Sequence, residues 1–217
     1  MSIIVMDLET TGTNVFDAEI ITGYFIHADE SFNIKTTYEI KCNPSTWSDE
    51  AEKVHGITRF EASTYKKFSE VYQELIDWID VCKPTQMWMH CNSKMFGKLS
   101  FFDHAVLRLS MMGMGDVPYF KISNITPLST HSLCKITHSI YNFEGFSLDL
   151  VCKTLGISLK HHDAQSDALA CLEIIKQLLP LTSIEAINNY EREIENEESS
   201  KPNSKKSRTK RPVAGLV

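Results

Sequence analysis

The strongest constraint on this chain is a pair of carboxylates at the end of a short apolar run near the N-terminus. Asp7 and Glu9 follow residues 3–6, Ile-Ile-Val-Met, and lie next to residues 10–12, Thr-Thr-Gly, a turn-forming sequence. Side chains at i and i+2 of a strand point to the same face. We therefore expect Asp7 and Glu9 to stand side by side, an arrangement tolerated mainly when a cation lies between them. The alternative is an ordinary polar strand end that leads into a turn.

Length and composition set the broad class of the protein. The chain has 217 residues, 42% of them hydrophobic, which is enough for one domain with a sizeable core. No apolar run approaches the ~20 residues that span a bilayer, and the N-terminus does not resemble a signal peptide. We expect a soluble cytoplasmic protein without a membrane partner. Six cysteines include no Cys-x-x-Cys pair, so neither a zinc cage nor a disulfide framework is indicated.

Charge divides the chain into an acidic body and a basic tail. Residues 201–217 contain six Lys and Arg, whereas all 28 Asp and Glu lie before them. An acidic body argues against a protein that binds long nucleic-acid duplexes through many phosphate contacts. It is compatible with an enzyme that binds one strand end through metal ions.

The sequence becomes poor in apolar residues near residue 188. We predict a domain of residues 1–187 followed by a disordered charged tail, residues 188–217. The tail would serve as a nucleic-acid tether, as a peptide for a polymerase or replication partner, or as a nuclear-import signal in a eukaryote. The alternative is a solvated segment with no dedicated partner.

The hydrophobic pattern predicts a mixed α/β domain with one sheet flanked by helices. Predicted strands come first, with an antiparallel meander at the start, and helices dominate the second half. Strands are predicted at residues 3–7, 19–28, 34–41 and 86–90. Apolar residues at i, i+3 and i+4 predict helices at residues 68–82, 103–112, 131–141, 147–155 and 164–179.

Two further acidic residues and a histidine are candidates for the same site. Asp167 lies in the first turns of the last long predicted helix and His162 just before it, so both can face one cleft. Asp103 opens another predicted helix, where the alternative role is that of a helix N-cap. For Asp167 or His162 taken singly, the alternatives are helix capping and an ordinary surface residue.

Taken together, these stretches resemble the DEDDh exonucleases of the DnaQ-like, ribonuclease H-like superfamily. Residues 7–12 resemble the first motif of that family, Phe102-Asp103 the second, and residues 162–168, His-x-Ala-x-x-Asp-Ala, the third. The resemblance implies a ribonuclease H-like mixed sheet that combines the antiparallel meander with parallel strands. The free-standing phage exonuclease branch fits the length. The chain departs from the family pattern at an insert, residues 93–101, which should alter the wall of the substrate cleft.

The resemblance implies that four carboxylates hold two Mg²⁺ or Mn²⁺ ions. Such ions prefer oxygen ligands and suit phosphodiester hydrolysis, in which charge must be stabilised at phosphorus and at the leaving oxygen. The implied metal ligands are Asp7, Glu9, Asp103 and Asp167.

The resemblance also assigns a base and a nucleotide-binding segment. His162 is the expected general base, because an imidazole that titrates near neutrality can accept a proton from the attacking water. His161 is its rival, although the motif spacing selects His162. The backbone around Leu8 and Thr10 is expected to cradle the terminal nucleotide.

The expected function is therefore a metal-dependent 3′ to 5′ exonuclease that acts on the 3′ end of single-stranded DNA and releases 5′ mononucleotides. The first alternative is the same chemistry on RNA or short oligoribonucleotides, because the sequence fixes no contact to the sugar 2′ position. The second alternative is a non-catalytic polymerase-partner or nucleic-acid-binding module.

Overall fold

The computed structural model describes residues 2–92 and 101–200. All but the last residue of the predicted insert at 93–101 lies outside the described residues, as does the basic segment 201–217. The expectations for those two segments therefore stay predictions.

A single five-stranded sheet has the strand order β3-β2-β1-β4-β5. The strands are β1 (Ile3–Thr10), β2 (Ile20–Ala28), β3 (Ile34–Lys41), β4 (Gln86–Met89) and β5 (Thr126–Ser129). β1, β2 and β3 form an antiparallel meander, whereas β4 pairs parallel with both β1 and β5. The predicted mixed α/β sheet is confirmed. β5 was not predicted, because four residues with a proline at the second position carry little strand signal.

Ten α-helices are assigned in the described part of the chain. They are α1 (Asp49–His55), α2 (Arg59–Ala62), α3 (Phe68–Cys82), α4 (Phe102–Met112), α5 (Asp116–Ser123), α6 (Thr130–Ile136), α7 (His138–Tyr141), α8 (Leu148–Leu155), α9 (Ala164–Leu178) and α10 (Ile184–Ser200). The helix predicted at 131–141 is broken at Thr137, whose hydroxyl donates to the carbonyl of Leu133 at 2.9 Å. Among the described helices, none is both long and apolar enough to cross a membrane.

Both faces of β1 are buried, which makes it the centre of the fold. Ile3 and Val5 belong to one hydrophobic core with α9, whereas Ile4 and Met6 belong to a second core with α3 and α4. A strand that is covered on both faces reads as a continuous apolar run, as this one does. The face of β1 that carries Asp7 and Glu9 is therefore the same face that packs against α9 at Ile3 and Val5.

The last described helix, α10, differs from the predicted tail. Residues 188–200 are helical, whereas we expected disorder from residue 188. Ile187 is fully buried in the core that contains α9, and Ile184 packs against the same core. The helical spacing of Ile184, Ile187 and Ile194 accounts for this helix, but the surrounding charged residues obscured it in the sequence.

Glu19 fixes the turn that follows β1. The N–H of Thr11 donates to the Glu19 carbonyl at 3.0 Å, and the N–H of Glu19 donates to the Thr11 hydroxyl at 3.0 Å. The Glu19 carboxylate accepts hydrogen bonds from the backbone N–H groups of Ser45 and Thr46 at 2.8 and 2.9 Å. Glu19 therefore ties the end of β1, through its backbone, to the segment that precedes α1, through its side chain.

We predict that Glu19→Gln lowers the melting temperature at pH 7 by about 2–4 °C, the shift that ~1 kcal/mol produces in a domain of this size. Burial alone would raise the Glu19 pKa, but hydrogen bonds from Ser45 and Thr46 bring the pKa below its ordinary value of 4.5. Stability from a lowered carboxyl pKa is present above pH 4.5 and is lost as the pH falls through the folded-state value.

Thermal melts from pH 7 to pH 3 check this prediction, with Glu193→Gln on the exposed face of α10 as the matched control. The gap between wild type and Glu19→Gln should shrink on acidification. Identical melting temperatures at pH 7 would show that the Glu19 charge does not hold the turn.

Candidate active site

Three carboxylates converge where β1 meets the N-terminal end of α9. Asp7 and Glu9 project from the same face of β1, and Asp167 lies in the first turn of α9. One carboxylate oxygen from each residue lies within 4.8 Å of the others. Glu9 and Asp167 are only 8% and 4% exposed, so these charges are held together away from bulk water.

Asp103 approaches the same group from α4. Its charge acts on Asp7 and Glu9, although it is not one of the three residues whose oxygens lie within 4.8 Å of one another. The N-cap of α4 is Phe101, so Asp103 lies inside the first turn and does not cap the helix. Its carboxylate accepts a hydrogen bond from the Cys91 thiol at 3.0 Å. The structure thus brings all four predicted metal ligands to one region.

The carboxyl groups resist simultaneous ionisation. Burial, together with the charges of the neighbouring acids, raises the pKa of Asp7 well above its ordinary value and that of Glu9 to about 8. Burial also raises the pKa of Asp103, against the hydrogen bond from Cys91. The pKa of Asp167 is raised by burial, which outweighs the opposing effect of His161.

The donor set fits a divalent cation with oxygen ligands. Asp167 Oδ1 is buried and has no hydrogen-bond partner among the described residues, so it is an unsatisfied hydrogen-bond acceptor. Carboxylates from Asp7 and Glu9 lie next to it. A cation bound there would satisfy the oxygen and relieve the repulsion that raises the carboxyl pKa values.

Two adjacent histidines border the carboxylates. His161 Nδ1 lies 3.2 Å from Asp167 Oδ2, and the backbone N–H of His162 donates to the same oxygen at 3.2 Å. The imidazole rings stack with centroids 3.9 Å apart, and both side chains are exposed. The structure therefore brings both the predicted base and its rival to the site, and the choice of His162 stays a prediction.

The loop that carries His161 and His162, the histidine loop, is hydrogen-bonded to the start of α9. Asp163 caps this helix by accepting from the Ser166 N–H at 3.0 Å, and its other oxygen lies 3.1 Å from Lys160 Nζ. The Ser166 hydroxyl accepts from the Lys160 N–H at 2.8 Å. His162 adopts a left-handed backbone, φ 63°, and these hydrogen bonds hold it in that conformation.

Two clefts meet at Glu9, one on each side of the C-terminal end of α1. The first, of about 400 Å³, is lined by Leu8 and Thr10 together with Val54 and His55. The second, of about 340 Å³, is lined by residues of β2, β3 and the histidine loop. The sequence indicated no catalytic role for Val54 or His55, which only the folded structure shows to line the first cleft together with residues of β1.

Comparison with known proteins identifies the family. The model of the exonuclease family of the RNase T type matches residues 4–175. No match was found among curated protein sequences.

Similar solved structures are bacterial exonucleases. A zinc-bound complex of Escherichia coli exonuclease I with single-stranded DNA is 20% identical with a TM-score of 0.71, over 87% of this chain and 42% of that one. A moderately thermophilic exonuclease I from Methylocaldum szegediense is 18% identical with a TM-score of 0.69, over 87% and 42%. The chain thus spans about two fifths of the length of these structures.

The solved structures share the predicted fold, a mixed sheet flanked by helices. The family model covers every stretch that carried the sequence resemblance, from the strand of Asp7 to the helix of Asp167. Because that match extends over most of the chain, the protein belongs to the exonuclease family, the DEDDh-type 3′ to 5′ nucleases of the ribonuclease H-like superfamily.

Proposed function

We propose that this protein is a metal-dependent exonuclease that degrades single-stranded DNA from the 3′ end and releases 5′ mononucleotides. The observation that carries the proposal is the convergence of Asp7, Glu9 and Asp167, whose carboxylate oxygens lie within 4.8 Å of one another. Asp103 faces the same group, so β1, α4 and α9 all contribute to one acidic centre.

The proposal assigns two Mg²⁺ or Mn²⁺ ions to this centre. Bound ions would activate water and neutralise charge at the scissile phosphate. The carboxylates would hold the ions, whose positive charge would in turn attract the scissile phosphate into place for attack by water. Two observations support the assignment: Asp167 Oδ1 is an unsatisfied acceptor, and the pKa of Glu9 is raised. A bound cation would satisfy the first group and stabilise the ionised form of the second.

His162 is the proposed general base that accepts a proton from the attacking water. Among the described residues its ring has no side-chain hydrogen bond, whereas the ring of His161 is engaged by Asp167. Burial and the neighbouring His161 lower the His162 pKa below its ordinary value of 6.5, against the effect of Asp167. A neutral imidazole, the form that accepts protons, therefore predominates at pH 7.

The cleft lined by Leu8 and Thr10 is the proposed site of the terminal nucleotide. Glu9 also lines this cleft, so a nucleotide bound there would have its 5′ phosphate close to the proposed metal centre. Single-stranded DNA as the substrate is supported by its presence in the exonuclease I complex that shares this fold. A polymerase or replication partner that binds the tail stays a prediction, as does the cellular compartment.

Digestion of 5′-labelled single-stranded DNA and of matched RNA, with Mg²⁺, Mn²⁺ or EDTA, tests the function. We predict a metal-dependent ladder that shortens from the 3′ end, faster on DNA. His162→Ala should slow it about 10²–10⁴-fold, the usual contribution of a general base.

His161→Ala is the matched control, since that ring lies beside His162 in the same loop. It should slow digestion less. A larger loss in His161→Ala would move the base to that residue. Faster digestion of RNA would reassign the substrate, and no digestion of either strand would indicate a non-catalytic module.

We also predict that the melting temperature in EDTA falls as the pH rises from 7 to 8. Folded Glu9, with its pKa raised from 4.5 to about 8, binds more protons than unfolded Glu9 in this window. His90 and His104, whose pKa values burial lowers to about 4, are mostly neutral here in both the folded and the unfolded state, so they do not offset the effect of Glu9. The free energy of unfolding must therefore decrease with pH. The fall should be at least about 2–4 °C, equivalent to ~1 kcal/mol.

Two comparisons assign this effect to the carboxylates. Mg²⁺ or Mn²⁺ should remove most of the fall, because ligands that bind only the folded state stabilise it. Asp7→Asn should raise the melting temperature in EDTA at pH 8 while abolishing hydrolysis. A melting temperature in EDTA that is flat or rises over the same range would contradict the crowding of charge at this site.

A further inference from the structure

Cys91 lies directly beside one of the proposed metal ligands. It follows His90, the first residue after β4, and its thiol donates a hydrogen bond to Asp103 Oδ2 across 3.0 Å. Among the described residues this is the only side-chain hydrogen bond that the Asp103 carboxylate receives. Asp103 is 6% exposed, so solvent does not readily replace this donor.

The sulfur of Cys91 also meets the backbone at the start of α4. The N-cap residue Phe101 offers no side-chain acceptor, which leaves the N–H groups of the first turn to find other partners. The backbone N–H of Asp103 interacts with the Cys91 sulfur. Cys91 therefore contacts both the backbone and the carboxylate of Asp103, which fixes the position and the direction of that side chain.

Cys91 is itself held from the opposite side. The hydroxyl of Ser129, a fully buried residue, donates to the Cys91 carbonyl at 2.5 Å. The same hydroxyl accepts from the backbone N–H of His131 at 3.1 Å, as the N-cap of α6. A continuous set of hydrogen bonds thus runs from the start of α6, through Ser129 and Cys91, to Asp103.

We propose that Cys91 is a positioning residue that directs the Asp103 carboxylate toward the metal centre. The inference rests on the proposed function, because it concerns a ligand of that centre. Outer hydrogen-bond partners of metal ligands typically change metal affinity or activity by about 10–100-fold when removed. A thiol is a weak donor, so Cys91 orients Asp103 while competing little with a cation for its charge.

The test is a titration of the full-length protein with Mn²⁺ in the absence of nucleic acid, in which electron paramagnetic resonance measures the bound Mn²⁺. Cys91→Ala, which removes the donor, should weaken binding at least about 10-fold. Cys91→Ser, which keeps a donor of similar size, should bind within about threefold of wild type. The same order should appear in the Mg²⁺ concentration required for half-maximal hydrolysis, with KM for DNA unchanged.

Cys82→Ala is the control, since this buried thiol lies at the end of α3 and has no carboxylate partner among the described residues. Thermal melts verify that each variant folds. If Cys91→Ala does not fold, Cys91→Val and Cys91→Thr give a second pair of equal shape that differs in the hydroxyl. The pair should then show the same loss and recovery of binding.

The outcomes separate this inference from the proposed function. Wild-type affinity in Cys91→Ala, or Cys91→Ser as weak as Cys91→Ala, would overturn the positioning role while leaving the metal site in place. A wild-type protein that binds no Mn²⁺ would overturn the metal site and this inference with it. Mn²⁺ binding without DNA hydrolysis would overturn only the proposed substrate.

Discussion

The mutual repulsion of carboxylates at the end of β1 is the constraint around which this structure is arranged. Asp7 and Glu9 share one face of a central strand, and α9 adds Asp167 within 4.8 Å of both. A fold that only needed stability would separate these groups, because burial and the charges of the neighbouring acids raise the pKa of Asp7 and of Glu9. Proteins retain such strained clusters where a bound cation and its chemistry require them.

The topology explains how these charges are brought together. β1 lies at the centre of the sheet, with an antiparallel neighbour on one side and a parallel one on the other, so its C-terminal end is reached by elements from the whole chain. The apolar residues Ile3 and Val5 anchor that strand in the core beneath α9. Backbone pairing with β2 and the packing beneath the site hold Asp7 and Glu9 in place, since neither carboxylate has a side-chain hydrogen bond to another of the described residues.

The sequence predicted local features well and distant contacts poorly. The pair Asp7 and Glu9 could be predicted because their relation is set by the period of a strand, and the family match covers the motifs that suggested nuclease chemistry. The contact between Cys91 and Asp103 could not be predicted, because it joins the end of β4 to the start of α4, and only tertiary packing sets the relative position of these two elements. The continuation of α10 was missed since Ile187 is buried by tertiary contacts within a charged segment.

Anomalous diffraction from crystals soaked with Mn²⁺ and a nucleoside 5′-monophosphate would show whether the crowded carboxylates hold metal ions. We predict anomalous density between Asp7, Glu9 and Asp167, with a second peak that Asp103 helps to hold, and the nucleotide phosphate next to both. Density confined to His161 and His162, or no density beside the carboxylates, would show that their crowding does not serve a metal centre.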